Sequence, residues 1–405
     1  MNKPILFLYT CLISGLSAQA QQSELDTVTI SSSLRNENVS STGRNIIVIR
    51  GEQFVKQPVH SIDELLRYLP GIEVQQRAPM GSQSDIILRG GTFQQVLVIL
   101  DGVRLNDPNT GHFNSYIPIA PSEIDRIEIL KGAASAIYGS EAVGGVIYIV
   151  SKSFARKKQQ EDEQLMAQAS VGSFGMASAN VGIFEKLKNT SVAGGILMNH
   201  AKGEQQRGIH GYLDNRTVSF SVSHDFNPDW KLSLRSSLDS RDFAAQNFYT
   251  TFLSDTANEL VQTWWNQANL SYEKGNNNFS FSAGYKKLED TYRFNPSSVA
   301  NSSDSKLFQM LAFYSSSWKN KHPWTTGVQY LDRSIKSNDR GMHHVKEIAQ
   351  FNTMNFHAGN FLVVSPGLRF DWIESRSIEV VPQVNVSMNK GPLQLRGSVG
   401  KTIRN

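Results

Sequence analysis

Val218-Ser219-Phe220-Ser221-Val222-Ser223 carries an apolar side chain at every even position and serine at every odd one. Successive side chains of a β-strand point to opposite faces, so this stretch makes a strand with one oily face and one hydroxyl-lined face. The same period returns downstream. Phe279, Phe281, Ala283 and Tyr285 alternate with Ser280, Ser282, Gly284 and Lys286, and Leu393, Leu395 and Val399 alternate with Gln394, Arg396 and Ser398. About thirteen such segments follow one another, many long enough for the ~10 residues that a tilted membrane strand requires. Two architectures alternate in this way, a soluble β-sandwich and a transmembrane β-barrel. Polar faces of Ser, Asn, Gln and Gly suit a water-filled or plugged lumen, which favours the barrel. All six tryptophans (Trp230, Trp264, Trp265, Trp318, Trp324 and Trp372) fall in this part. Several sit at segment ends, where an interfacial aromatic belt belongs.

Upstream of residue 153 the pattern is mixed. Asn45 to Ile49 reads as a strand, and Ser61-Ile62-Asp63-Glu64 as a capping box that opens a helix over Ile62 to Leu69, stopped by Pro70-Gly71. Short strands are expected at Ile72 to Gln75, Ile86 to Arg89 and Val96 to Leu100, with a turn at Asp101-Gly102. A second short helix should start at Pro121-Ser122-Glu123, followed by a strand over Arg126 to Lys131, a helical turn or two within Gly132 to Tyr138, and a strand over Gly145 to Val150. This is an α+β domain. The charged run Ser153 to Gln164 marks its boundary with the alternating region.

At the start of the chain, Lys3, the apolar stretch Ile5 to Leu16 and Ala18-Gln19-Ala20 read as a secretory signal over residues 1–20. The only cysteine, Cys11, lies within it and is preceded by Tyr9-Thr10, unlike a lipoprotein box. The exported part therefore has no disulfide. Residues 21–33 are short, polar and Ser-rich, a mobile arm with a β-prone island at Thr27-Val28-Thr29-Ile30.

With 405 residues the chain has room for two or three domains of roughly 150 residues. The 40% apolar content argues for a folded protein. Forty Lys+Arg against 36 Asp+Glu are spread along the chain, without the basic stripe of a nucleic-acid binder. The longest aliphatic run beyond the N-terminus, Val96 to Leu100, is far short of the ~20 residues of a spanning helix. GxSxG, HExxH, GxGxxG and paired CxxC signatures are absent, so an enzyme is not expected. Gly397 to Thr402 imitates the end of a phosphate loop but sits in a strand pattern and lacks the upstream glycine, since Leu395 stands there. His343-His344 has no spaced third ligand and reads as a solvated loop.

Six ordered blocks are more specific. They are Leu65 to Gly71, Ile87-Leu88-Arg89-Gly90-Gly91, Val98-Ile99-Leu100-Asp101-Gly102-Val103-Arg104, Ile124 to Gly132, Ala136-Ile137-Tyr138-Gly139 and Ala142-Val143-Gly144-Gly145-Val146-Ile147. Together they resemble the plug of TonB-dependent outer-membrane receptors, and their wording is closest to the vitamin B12 receptor branch. The resemblance implies residues 34–152 as plug and 153–405 as barrel. It also implies a TonB box at Asp26, Thr27, Val28, Thr29, Ile30 and Ser31. In such proteins the box adds a strand to the periplasmic protein TonB, driven by an inner-membrane complex.

By the same resemblance, ligand contacts come from plug apices: here Gln76, Arg77 and Met80 on one, and Asn106, Asp107, Asn109, His112, Phe113 and Tyr116 on the other. Arg89 and Lys131 would form ion pairs with barrel-wall glutamates. A bulky ligand is implied, cobalamin first and a ferric siderophore as alternative, with outer-membrane lipid around the barrel and a surface lipoprotein as a further partner. No cofactor is implied, and no calcium-binding carboxylates are matched. A non-transporting outer-membrane binding protein on the same scaffold is the other reading. Barrels of this kind have about 22 strands, so thirteen strands and a C-terminus without a terminal aromatic strand suggest a C-terminally truncated chain.

Overall fold

In the stretch 218–223, Ser219, Ser221 and Ser223 are buried while Val218 and Phe220 are 47% and 56% exposed. The apolar face points outward and the hydroxyls point in, the inversion that distinguishes a membrane barrel from a water-soluble sandwich. The computed structural model describes residues 29–30, 34, 37–38, 45–55, 57–155, 163–319, 321–359, 361–390 and 393–403.

Among these residues, an antiparallel wall runs through β10 (Glu163–Val171), β11 (Ala177–Leu187), β12 (Thr190–Ala201), β15 (Leu213–Asp225), β16 (Trp230–Ala244), β17 (Asn258–Lys274) and β18 (Asn277–Arg293). It continues through β19 (Asn301–Trp318), β20 (His322–Ser337), β21 (Gly341–Met354), β23 (Leu362–Ile373), β24 (Glu379–Lys390) and β25 (Leu393–Gly400). Strand β22 (Phe356–Ala358) pairs with β23 off this path, and β13 (Gln205–Gln206) with β14 (Ile209–His210) forms a separate hairpin in a connection. Each strand neighbours the next in sequence, a meander that needs only hairpin turns. Connections at one end, such as 188–189 and 275–276, are short; those at the other, such as 202–212 and 245–257, are longer. We call the latter the long-loop end.

Inside the wall sits a smaller mixed sheet of β3 (Asn45–Arg50), β6 (Val96–Leu100), β7 (Val103–Arg104), β8 (Ile124–Lys131) and β9 (Gly145–Ser151), in the order β3-β8-β9-β6-β7. Strands β6 and β9 are parallel and the other pairs antiparallel. All five residues of β6 and all seven of β9 are buried, because both faces of this sheet are covered. One face packs on Leu65 and Leu66 of α2 (Ile62–Leu66) and on Ile86 and Leu88 of β5 (Ser84–Leu88), which pairs with β4 (Ile72–Gln76). The other packs Leu97, Ile99, Val146 and Tyr148 against Leu311 and Phe351 of the wall. Trp265 joins the first of these clusters and is fully buried, so it is a core residue and not part of an aromatic belt.

Local readings are adjusted in four places. A short α1 (Glu52–Val55) precedes α2, and α2 ends at Leu66 rather than Leu69. Ser61 makes no capping hydrogen bond; the Glu64 carboxylate instead accepts from the backbone amides of His60 (2.7 Å) and Met80 (2.9 Å), drawing it away from the helix end. The strand expected to reach Arg89 ends at Leu88, where Arg89 turns to a φ of +55°. Pro121–Glu123 forms a single 3-10 turn, while Ser135–Tyr138 forms the α-helical turn α3. Within the arm, Thr29–Ile30 (β1) pairs antiparallel with Glu37–Asn38 (β2). Asp26, Thr27, Val28 and Ser31 lie outside the described residues, as does the signal segment 1–20.

Candidate functional site

The segment Leu105–Tyr116 leaves the edge of the inner sheet at β7 and rises to the long-loop end. Its root is built in. Asn106 accepts from the Val98 amide (2.8 Å) and donates to the Val96 carbonyl (2.9 Å), extending the sheet with a side-chain amide. Asp107 pairs with Lys286 of β18 at 3.1 Å and accepts from Ser305 of β19 at 3.0 Å. Phe113 and Tyr116 stack on each other, 5.3 Å between centroids, and are buried against Val261 and Leu288 of the wall. Arg241 lies 4.2 Å from the centroid of the Tyr116 ring. Burial pushes the Tyr116 phenol well above its usual range, reinforced by the Glu259 carboxylate.

Phe113 and Tyr116, expected as ligand contacts, are thus covered by the wall and brace the apex, while Asn106 both anchors it to the sheet and lines the cavity described below. Met80 is of the same kind: it is buried, and its carbonyl accepts from Asn199 (3.1 Å) and Asn215 (2.9 Å) of the wall. Gln76 is tied sideways to Arg67 (2.6 Å) and Asp63 (3.2 Å).

The groups that remain at the surface of the apices are Arg77, Asn109 and His112. Arg77 donates to the Phe248 carbonyl of the long loop 245–257 and lies 3.3 Å from Asp85. Asn109 accepts twice from Arg340, through its backbone and side-chain oxygens, each at 2.8 Å. Between this apex and the outer ends of β20, β21 and β23 lies a cavity of about 250 Å³. Asn109, Asn114, Glu141, Arg333, His344 and Arg376 are among the residues that line it. The Asn114 side-chain oxygen is buried with no hydrogen-bond partner. The cavity therefore offers an amide acceptor, carboxylates and guanidinium groups within one opening, chemistry suited to a ligand rich in polar groups.

His343 and His344 are on strand β21, not in a loop, and His344 Nε2 lies 2.7 Å from Asp332. Among the described residues no three His, Cys, Asp or Glu side chains converge as a metal site.

Arg89 and Lys131 do not meet wall glutamates among the described residues. Arg89 is exposed, and Lys131 donates to the Pro70 carbonyl on the plug itself. Besides Asp107–Lys286, a larger ionic group joins the inner domain to the wall. Arg104 of β7 lies 3.7 Å from Glu141, which lies 3.8 Å from Arg333 of β20. Arg333 meets Glu347 of β21 at 2.8 Å, and Arg369 of β23 meets Glu347 at 3.4 Å and Asp371 at 2.7 Å. Burial draws the Arg104 guanidinium below its usual value despite Glu141 and Glu347.

Arg369 also donates to the Ile137 carbonyl (3.2 Å) beside Gly139, whose φ is +79° and where a Cβ would come 2.6 Å from the guanidinium. Further ties are Gln309, which clips both backbone groups of Arg104 (3.0 and 2.7 Å), and Arg235, buried 3.6 Å from Asp101. Burial raises the Asp101 carboxyl, against the pull of Arg235. One signal for these groups was available. Glu347, Arg369 and Asp371 occupy lumen-facing positions of strands, where the alternating pattern places charges on the inner face.

Comparison with known proteins agrees with this architecture. Residues 38–146 match the TonB-dependent receptor plug domain. The vitamin B12 transporter BtuB of Vibrio cholerae is 30% identical over 251 residues, covering 59% of this chain and 39% of that protein. The Vibrio vulnificus transporter of the same name is 28% identical over 260 residues, covering 60% and 41%. The chain thus spans about two fifths of the length of these curated relatives. Among solved structures, the siderophore receptor PirA from Acinetobacter baumannii superposes with a TM-score of 0.72 at 18% identity, over 93% of this chain and 63% of that one. Residues 38–146 thus carry a TonB-dependent receptor plug domain, and the chain around it is similar to vitamin B12 transporters in sequence and to a siderophore receptor in fold.

Proposed function

We propose that this protein is an outer-membrane receptor of a Gram-negative bacterium that binds a scarce, bulky nutrient at its outer face and imports it with energy delivered by TonB. Cobalamin is the leading ligand. The observation that carries the reading is the plug apex itself: a loop rooted in the plug sheet closes against the long-loop ends of β20, β21 and β23 around a polar cavity. The identity to cobalamin transporters supports the choice of ligand. A ferric siderophore is the alternative cargo.

Transport by this route makes no lasting chemical change in the cargo. The wall excludes lipid, the plug blocks the lumen, and the polar ties between them set how much work must be done to shift the plug. Residues Asp26 to Ser31 are the attachment point for TonB, by strand addition in which backbone hydrogen bonds carry the attachment. Proline at the centre of that strand lacks the N–H and fixes φ. Val28→Pro should therefore abolish uptake of labelled cobalamin by cells while sparing its binding to outer membranes. Loss of both would contradict the role given to this segment.

A further inference from the structure

His112 is held so that one ring nitrogen is committed and the other is open. Its Nδ1 lies 2.6 Å from Asp85 Oδ1. The Asp85 side chain is only 3% exposed, whereas that of His112 is 19% exposed. The second Asp85 oxygen is taken by Arg77 at 3.3 Å. The imidazole stacks on Phe93 with 4.3 Å between centroids and 22° between planes, and Tyr249 lies 6.0 Å away at a tilt. The ring plane is thereby fixed. Nε2 sits on the side of the ring away from Asp85 and makes no hydrogen bond among the described residues.

A carboxylate only accepts, so the neutral imidazole beside it carries its proton on Nδ1 and its lone pair on Nε2. This is the way metal-ligating histidines are set up: a carboxylate behind the ring fixes the tautomer and strengthens the donor nitrogen. Among the described residues no third His, Cys, Asp or Glu joins these two to form a resident ion site. A single nitrogen can instead complete the coordination of a metal that arrives with its other ligands in place, and imidazole suits the later first-row metals.

We propose that His112 Nε2 binds the metal centre of the cargo, a transition-metal complex with one exchangeable axial position. The proposal rests on the reading of this chain as a cobalamin receptor. The step is a ligand exchange. The bond from metal to axial water breaks, the Nε2 lone pair forms the new metal–nitrogen bond, water leaves intact, and the metal keeps its oxidation state.

The test uses the native protein, purified in detergent from outer membranes of source cells. It is titrated with aquacobalamin, whose axial water exchanges, and with cyanocobalamin, whose cyanide does not. The visible spectrum of bound aquacobalamin should shift to that of an imidazole adduct, with affinity about tenfold above that for cyanocobalamin. His112→Gln retains an N–H for Asp85 but no imidazole; it should lose the shift, and the ratio of the two affinities should fall to near one. Bound aquacobalamin with an unshifted spectrum overturns the assignment and leaves the receptor reading standing, as does a shift that persists in His112→Gln. Binding of neither corrinoid overturns both.

Discussion

Three cations and three carboxylates hold the plug against β20, β21 and β23: Arg104, Arg333 and Arg369 facing Glu141, Glu347 and Asp371. Charges balance within the group, and Arg104, Glu347, Arg369 and Asp371 are buried. Arg104→Met removes one cation and leaves a carboxylate uncompensated, together with the Tyr138 carbonyl that Arg104 donates to at 2.7 Å. Breaking one side of a buried ion pair costs about 3–5 kcal/mol. The Arg104–Glu141 contact is loose at 3.7 Å, and Arg104 Nε and Nη1 make no hydrogen bond, which places the loss near the lower end, about 3 kcal/mol.

The readout is urea-driven release of the plug, followed by labelling of a cysteine introduced at buried Ser140 of the plug. With a slope of about 1–3 kcal/mol per molar urea, the midpoint should fall by about 1–3 M. Adding Glu141→Gln removes the matching carboxylate and leaves Arg333 and Arg369 facing Glu347 and Asp371. The double variant should regain about 2 kcal/mol relative to the sum of the single losses, as expected for groups in one network. Additive losses, with coupling within about 0.5 kcal/mol, would refute the view that these six groups act as a unit.

Two further outcomes follow from other ties. Gln309→Leu strips both backbone groups of Arg104 of their partner inside the lumen, at about 1–3 kcal/mol each, so exchange of the Arg104 amide with solvent should speed at least about tenfold; unchanged protection would show that the clip is replaced by water. For Glu64, burial alone would raise the carboxyl, but hydrogen bonds from the His60 ring and from the amides of His60 and Met80 outweigh it and hold it below its ordinary 4.5. A depressed folded value adds stability that is complete above pH 4.5 and fades as pH falls through the lower folded value. The urea midpoint for plug release should therefore drop more steeply below pH 4.5 in the wild type than in Glu64→Gln, and parallel curves would contradict it.

The architecture was legible because both halves have strong local signals. Val218 to Ser223 fixes which face is oily by period alone, and the unbroken aliphatic run Val96 to Leu100 announces a strand buried on both faces. The site was legible only in part. Turn-rich sequence located the apex at Leu105 to Tyr116, but could not separate Asn109 and His112, which stay at the surface, from Phe113 and Tyr116, which the wall covers. That distinction depends on long-range contacts with Val261, Leu288 and Lys286. Arg89 and Lys131 stood out as cations in the blocks that carry the resemblance, yet the plug cation that joins the ionic group at β20, β21 and β23 is Arg104, just beyond the Asp101-Gly102 turn. Its direct contacts Tyr138 and Glu141 lie on the plug, but Arg333, Glu347, Arg369 and Asp371, which complete the group, lie on strands more than two hundred residues away that only the barrel's register brings together.

The receptor reading is tested most directly by binding of labelled cobalamin to outer membranes from source cells with and without the gene for this protein. A cobalamin receptor predicts tight, saturable binding that disappears with the gene. Equal binding by both membranes, with the protein confirmed present in the first, would contradict cobalamin as the cargo and turn the search to ferric siderophores.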